Sequence, residues 1–266
     1  MNRALGKLEN RLFAYTQMRG QPTVRTGELV QQLGFTGDQE REVFRRLARA
    51  QLIARVRPGL YLVPPRLPPG GTWSPGETLA LNTLMADRDG RYQICGPNAF
   101  SRYDFDAQIP TRVYAYNNRI SGERSIGSVR FTLIKVADGR LGDTEEVEVD
   151  DAQVAVFSSR ARSLLDAVYD WSRFNTLPSG YEWIKTELAA GRVTPEELVE
   201  TTVRYADIGT TRRIGVLLDR AGVDPRRLRR LENRLSPSKS LIAWIPTQPK
   251  RGSSDRRWGV VVNGDI

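Results

Sequence analysis

Arg41, Arg45, Arg46 and Arg49 crowd one short stretch of this chain. If the stretch is helical, a step of about 100° per residue puts Val43, Phe44, Leu47 and Ala50 on one side. Asp38, Arg41, Glu42, Arg45 and Arg49 then point the other way, with Arg46 at the edge. The planar guanidinium fork grips phosphates and also matches O6 and N7 of guanine. Gln39, near the start of the run, has the donor–acceptor pair that adenine presents. Arg25 upstream and Arg55 and Arg57 downstream suit flanking phosphates or a minor groove. Asp38 and Glu40 oppose indiscriminate phosphate binding, which fits a selective reader of duplex DNA better than a coating protein. A solvated helix face, helped by Glu42–Arg46 at i,i+4, is the competing reading.

The elements around these residues are those of a winged helix-turn-helix. Thr26 is placed to cap a helix carrying Leu29, Val30 and Leu33. Gly34 stands where a helix stop needs positive φ. Thr36 with Gln39 three residues on makes a capping box for the arginine helix. Ile53-Ala-Arg-Val-Arg57, then Pro58-Gly59, then Leu60-Tyr-Leu-Val63 read as a hairpin, because Pro-Gly is strong turn chemistry. Residues 2–18, with Leu5, Leu8, Leu12 and Tyr15 at helical spacing, supply a helix behind the motif. Winged helices also dock proteins, so order alone leaves both partners open.

Composition prunes the alternatives. The 266 residues carry one cysteine, Cys95, and no histidine. That removes Ser-His-Asp and Cys-His nucleophiles, an intramolecular disulfide and an ordinary zinc site. Neither common glycine-rich phosphate loop occurs, and no cofactor is implied. No Glu-x-Lys strand of the nuclease type is present; Glu182-Trp-Ile-Lys185 has the wrong spacing. No uninterrupted apolar run reaches membrane-spanning length and no signal-peptide core opens the chain, so the expected location is cytoplasmic, without a membrane partner.

The net charge of +9 is segregated. Residues 1–70 hold 12 Lys/Arg against 5 Asp/Glu, and residues 224–258 hold 10 against 3, while residues 71–223 hold 18 against 22. Two basic ends around an acidic middle fit a polyanion touched at two places. The second basic element is Arg226, Arg227, Arg229, Arg230 and Arg234, followed by Lys239, on a helix whose inner stripe is Leu228, Leu231 and Leu235. Its alternatives are a second nucleic-acid surface, a site for an acidic partner, or a solvated face. In the acidic run Glu145–Asp151, alternation puts Glu146, Glu148 and Asp150 on one strand face. One strand edge is a poor cage for a hard cation, so the run reads as edge protection and no metal site is assigned.

The spacing predicts an α+β chain with a helical last third. It divides into a winged helix-turn-helix domain over 1–66, a Pro/Gly-rich linker over 67–72 and a second domain over 73–266. Ser74 should cap a helix reaching Ala86. Strands are expected at Tyr92–Cys95, Val113–Tyr116, Val129–Val136, Glu146–Val149 and Val154–Phe157, with a short helix around Pro97–Tyr103. Helices follow from Ser158 or Ser159, over Ser179–Ala190, Thr194–Tyr205 and Thr210–Ala221, and from Asp224-Pro225. Ile242–Ile245 and Trp258–Val262 suggest a terminal hairpin.

Several local patterns resemble the AbiEi antitoxins of bacterial AbiE-type toxin–antitoxin systems. They are Arg57-Pro-Gly-Leu-Tyr61, the Pro-rich connector, Gly96-Pro-Asn-Ala-Phe-Ser-Arg-Tyr103, Arg162-Ser-Leu-Leu-Asp166 and Thr211-Arg-Arg-Ile-Gly-Val-Leu-Leu-Asp219. Many members carry a histidine in the segment matching Ala99–Phe105; this chain has none. The resemblance implies a non-enzymatic autorepressor that binds inverted operator repeats, as a monomer or weak dimer acting cooperatively on DNA. It also implies a C-terminal domain that counters a nucleotidyltransferase-like toxin. A ligand-sensing regulator and a DNA-targeted nuclease are the competing functions.

Overall fold

The computed structural model describes residues 5–67, 71–149, 153–236 and 240–264. The chain opens with α1 (Lys7–Arg19), β1 (Thr23–Arg25), α2 (Glu28–Leu33), α3 (Gly37–Arg49), β2 (Ala54–Arg57) and β3 (Leu60–Leu62). The three strands form an antiparallel sheet in the order β1-β3-β2. Three helices followed by this hairpin make a winged helix. Leu12, Phe13, Val24, Leu29, Phe35, Val43, Phe44, Leu47 and Ile53 close its core. The strand β1 has only Val24 to bury, which is why sequence periodicity passed over it.

Next come α4 (Glu77–Ala86), β4 (Tyr92–Ile94), α5 (Pro97–Arg102), β5 (Val113–Asn117), β6 (Gly122–Ile126), β7 (Val129–Lys135), β8 (Thr144–Val149) and β9 (Gln153–Ser158). The strands build a six-stranded mixed sheet, β6-β7-β5-β4-β9-β8, with β4/β9 and β5/β7 parallel. Period-two alternation splits its faces. Val113 and Ala115 turn to α4 together with Phe131 and Leu133, while Tyr116, Ile134 and Cys95 turn to the opposite face. Burial pushes the Cys95 thiol well above its ordinary pKa. The wing joins the first of these layers: Ala54, Val56, Leu60 and Leu62 share a core with Leu81, Leu84, Met85, Ile126 and Phe131. The N-terminal and sheet portions are therefore joined by buried apolar surface as well as by the connector. Ser74 does not cap α4; Gly76 does, and the Ser74 hydroxyl accepts the Ser128 N–H.

The rest is helical: α6 (Arg160–Tyr169), α7 (Trp171–Phe174), α8 (Ser179–Ala189), α9 (Pro195–Tyr205), α10 (Ile208–Arg220) and α11 (Pro225–Glu232). Ser159, Thr194, Asp207 and Asp224 cap α6, α9, α10 and α11 with their side chains. Leu164, Leu165, Val168, Ile184, Leu198, Ile214, Leu217, Leu228 and Leu231 form the core, with Trp244 and Trp258. Gly215 makes room for Trp258, since a Cβ there would lie 2.1 Å from the indole. Asp219 then receives the Trp258 indole N–H at 3.0 Å. Arg162 and Asp166 are fully buried and paired; Arg162 also donates to the carbonyls of Arg140 and Gly142, lashing that loop to α6.

The last strands, β10 (Ile242–Ala243), β11 (Ser253–Asp255) and β12 (Val260–Val262), differ from the expected hairpin. The strand β10 runs parallel to β12, and β11 supplies the antiparallel partner. A parallel pair needs a long return connection, and residues 244–259 provide it.

Candidate nucleic-acid interface

Local capping sets the angle between α2 and α3. Gly34 (φ 65°) ends α2, and its N–H bonds to the Val30 carbonyl while Phe35 turns inward. The Thr36 hydroxyl accepts the Gln39 N–H at 3.2 Å, and the Gln39 side chain accepts the Thr36 N–H at 2.9 Å. The start of α2 is held differently from the expected Thr26 cap. Its N-cap is Gly27, and the buried Glu40 carboxylate of α3 accepts the N–H groups of Gly27 (2.7 Å) and Leu29 (3.0 Å). Glu40 is thus a pin between the two helices and no brake on phosphate binding. Gln39 has its carbonyl oxygen committed to the cap, which leaves its amide donors.

Between Arg41 and Arg49 the buried residues are Val43, Phe44 and Leu47, all on the inner face of α3, which leaves the outer face exposed. Phe44 stacks on Tyr61 of the wing at 4.4 Å between centroids and fixes the wing against this helix. Arg41 pairs with Asp38 and Arg45 with Glu42, both exposed pairs one helical turn apart. Arg45 lowers the Glu42 carboxyl below its usual range. Arg46 leans back to Glu9 of α1 at 3.2 Å. Among the described residues, Arg49 at the end of α3 and Arg55 on the outer side of β2 are exposed and make no ion pair. Exposed intrahelical pairs are weak because water screens them, so Arg41 and Arg45 remain available to a polyanion.

Arg25 and Arg57 have a partner that lies far off in the sequence. Both reach the carboxylate of Asp87, the residue that ends α4. Arg57 also donates to the Pro58 carbonyl at 2.7 Å. The two arginines hold the Asp87 carboxyl below the usual carboxylate range, Arg57 most strongly, against the opposing push of burial. Nothing in the local pattern around Asp87 advertises this contact, although an acid at a helix C-terminus runs against the helix dipole.

The second basic element is less uniform than its sequence. Leu228 and Leu231 are buried on α11, and Arg226 and Arg229 are exposed and unpaired among the described residues. Arg227 and Arg230 both lie near Glu196 of α9, at 3.7 and 2.6 Å. Arg234 is half-buried and donates to the Ala206 carbonyl at 2.9 Å, so it belongs to the interior of the helical portion and not to a surface. Lys239 lies outside the described residues. The acidic residues Glu145, Glu146 and Glu148 are exposed on β8, an edge strand; Asp150 lies outside the described residues.

No described helix is long and apolar enough to cross a membrane. No family model matches the chain, and no curated protein matches it. A solved structure, that of the RV2827C protein from Mycobacterium tuberculosis, is similar in fold. It superposes with a TM-score of 0.60 at 15% sequence identity, over 97% of this chain and 92% of that one.

Proposed function

We propose that this protein is a cytoplasmic, non-enzymatic DNA-binding regulator that represses its own operon through the winged helix and acts as an AbiEi-type antitoxin. The observation that carries the DNA reading is the exposed, arginine-rich face of α3, pinned in a helix-turn-helix by a capping box and a buried glutamate, beside a wing bearing Arg55. The segregated charge supports a polyanionic partner. The antitoxin role rests on the resemblance in the Pro-Gly wing, the Arg162–Asp166 segment and the Thr211–Asp219 segment; countering a nucleotidyltransferase-like toxin falls to the portion after residue 73.

The test uses the full-length chain with duplex from upstream of its own gene and a random duplex. If about six phosphates are neutralised, log K falls against log salt with a slope near −5. Arg49→Ala should cost roughly 1–3 kcal/mol on the upstream duplex and less on the random one. Equal losses on both would show that α3 does not read sequence, and no mobility shift at low salt would refute the DNA reading. For the antitoxin role, Arg226→Gln with Arg229→Gln is co-expressed with the product of the adjacent gene. Growth rescue by the wild type and its loss in the variant would support a contact through α11.

A further inference from the structure

Asp87 is misplaced for its own helix. It is the C-cap of α4, where aligned peptide dipoles leave partial negative charge and favour a cation. Its side chain is nonetheless only 5% exposed. The compensation comes from the winged helix. Arg57 meets it in a fork, Nε and Nη2 on the two carboxylate oxygens, the second bond at 2.7 Å. Arg25 adds Nη1 at 3.0 Å. This is the geometry with which arginines hold a phosphate. The two guanidinium groups stay open to an incoming anion, at 55% and 32% side-chain exposure. Their backbones are fixed without the carboxylate: Arg25 pairs with Leu60, Arg57 pairs with Leu60 across the hairpin, and the Thr26 N–H bonds to the Gly59 carbonyl at 3.0 Å.

We infer that Arg25 and Arg57 form a ready-made phosphate site which Asp87 fills in the free protein, and that a DNA backbone phosphate displaces Asp87 when the wing engages a duplex. The inference rests on the DNA-binding reading above. It makes the phosphate contact and the Asp87 contact of these two arginines mutually exclusive, while the apolar core between the wing and α4 stays in place. Any partner that holds Asp87 against the wing therefore weakens DNA binding, and DNA weakens that partner's hold by the same factor.

The full-length protein, Asp87→Asn, Arg57→Ala and the double variant are compared on a random-sequence duplex across salt. Asp87→Asn should bind about tenfold tighter with an unchanged slope, because the same phosphate is neutralised in both complexes and only the competing carboxylate is lost. Arg57→Ala should cost more in the Asp87→Asn background than in the wild type. In the wild type, the Asp87 carboxyl followed by carbon NMR should titrate higher when duplex saturates the protein, having lost its arginines; this readout does not depend on a variant folding. Wild-type affinity in Asp87→Asn, or weaker binding by it, would overturn the phosphate site, as would an Asp87 titration that duplex leaves unmoved. If the wild type binds duplex and these arms fail, only the phosphate site falls. If no variant binds duplex at all, the DNA reading falls and takes this inference with it.

Discussion

Glu40 is 2% exposed, and each of its carboxylate oxygens takes an N–H from the first turn of α2. Removing an acceptor from a buried donor costs about 1–3 kcal/mol, more than the bond itself returns on formation. Glu40→Ala should therefore destabilise the protein by roughly 2–4 kcal/mol, since two N–H groups are orphaned. Glu40→Gln, with one acceptor oxygen, should fall between the two in urea unfolding. An exposed substitution of comparable size, Glu42→Gln, should shift the midpoint little, because its pair with Arg45 is exposed. Helical periodicity separates the two: Glu40 lies three, four and seven residues before Val43, Phe44 and Leu47, on the inner side, whereas Glu42 points outward. What spacing does not give is the partner of Glu40. The Thr36–Gln39 box was readable because donor and acceptor are three residues apart. The Glu40 cap spans 11 and 13 residues, and the Asp87 contacts span 30 and 62. Local pattern contains no trace of such distances.

At the scale of elements, the wing is a shared part. Its inner residues Val56, Leu60 and Leu62 lie in one core with Leu81, Leu84 and Phe131. A fragment ending at residue 70 strips that cover. It should express as an aggregating or partly unfolded species, and its hairpin amides should exchange faster than in the full chain; a fragment as protected as the whole would show that the wing is self-sufficient. Long or capped elements were legible: α3, α6, α9 and α11 because an apolar stripe and a cap agree at each, α1 from its leucine spacing alone, and α10 from its stripe, although Asp207 and not Thr210 caps it. The strand β6 was not, since Gly-Glu-Arg-Ser-Ile buries only Ile126. The C-terminal sheet was misjudged in direction because Ile242–Ala243 and Val260–Val262 look equally β-prone whichever way they run, and β11, Ser-Ser-Asp, has no apolar residue to announce it. Of the candidate interface, the outward arginines of α3 were readable from spacing, whereas Arg234 changed role once tertiary neighbours took its guanidinium.

For the whole molecule, the six-stranded sheet sets where the charges stand. The wing packs beside β6 through β2, and the glutamates of β8 occupy the opposite edge. Five strand spacings of about 4.8 Å separate those edges by roughly 24 Å. That is about three Debye lengths at physiological ionic strength, and less than one at about 0.01 M, where the screening length is about 30 Å. Replacing Glu145, Glu146 and Glu148 by glutamine should then raise the rate of association with duplex in dilute buffer and leave it unchanged near 0.15 M in stopped-flow mixing. A rise at both ionic strengths would mean that the β8 edge meets the duplex itself. The sheet's width thus acts as an insulator: a chain that must meet a polyanion can carry an acidic border, and the solubility and protection against strand-to-strand joining that it confers, without the border being felt at the other end.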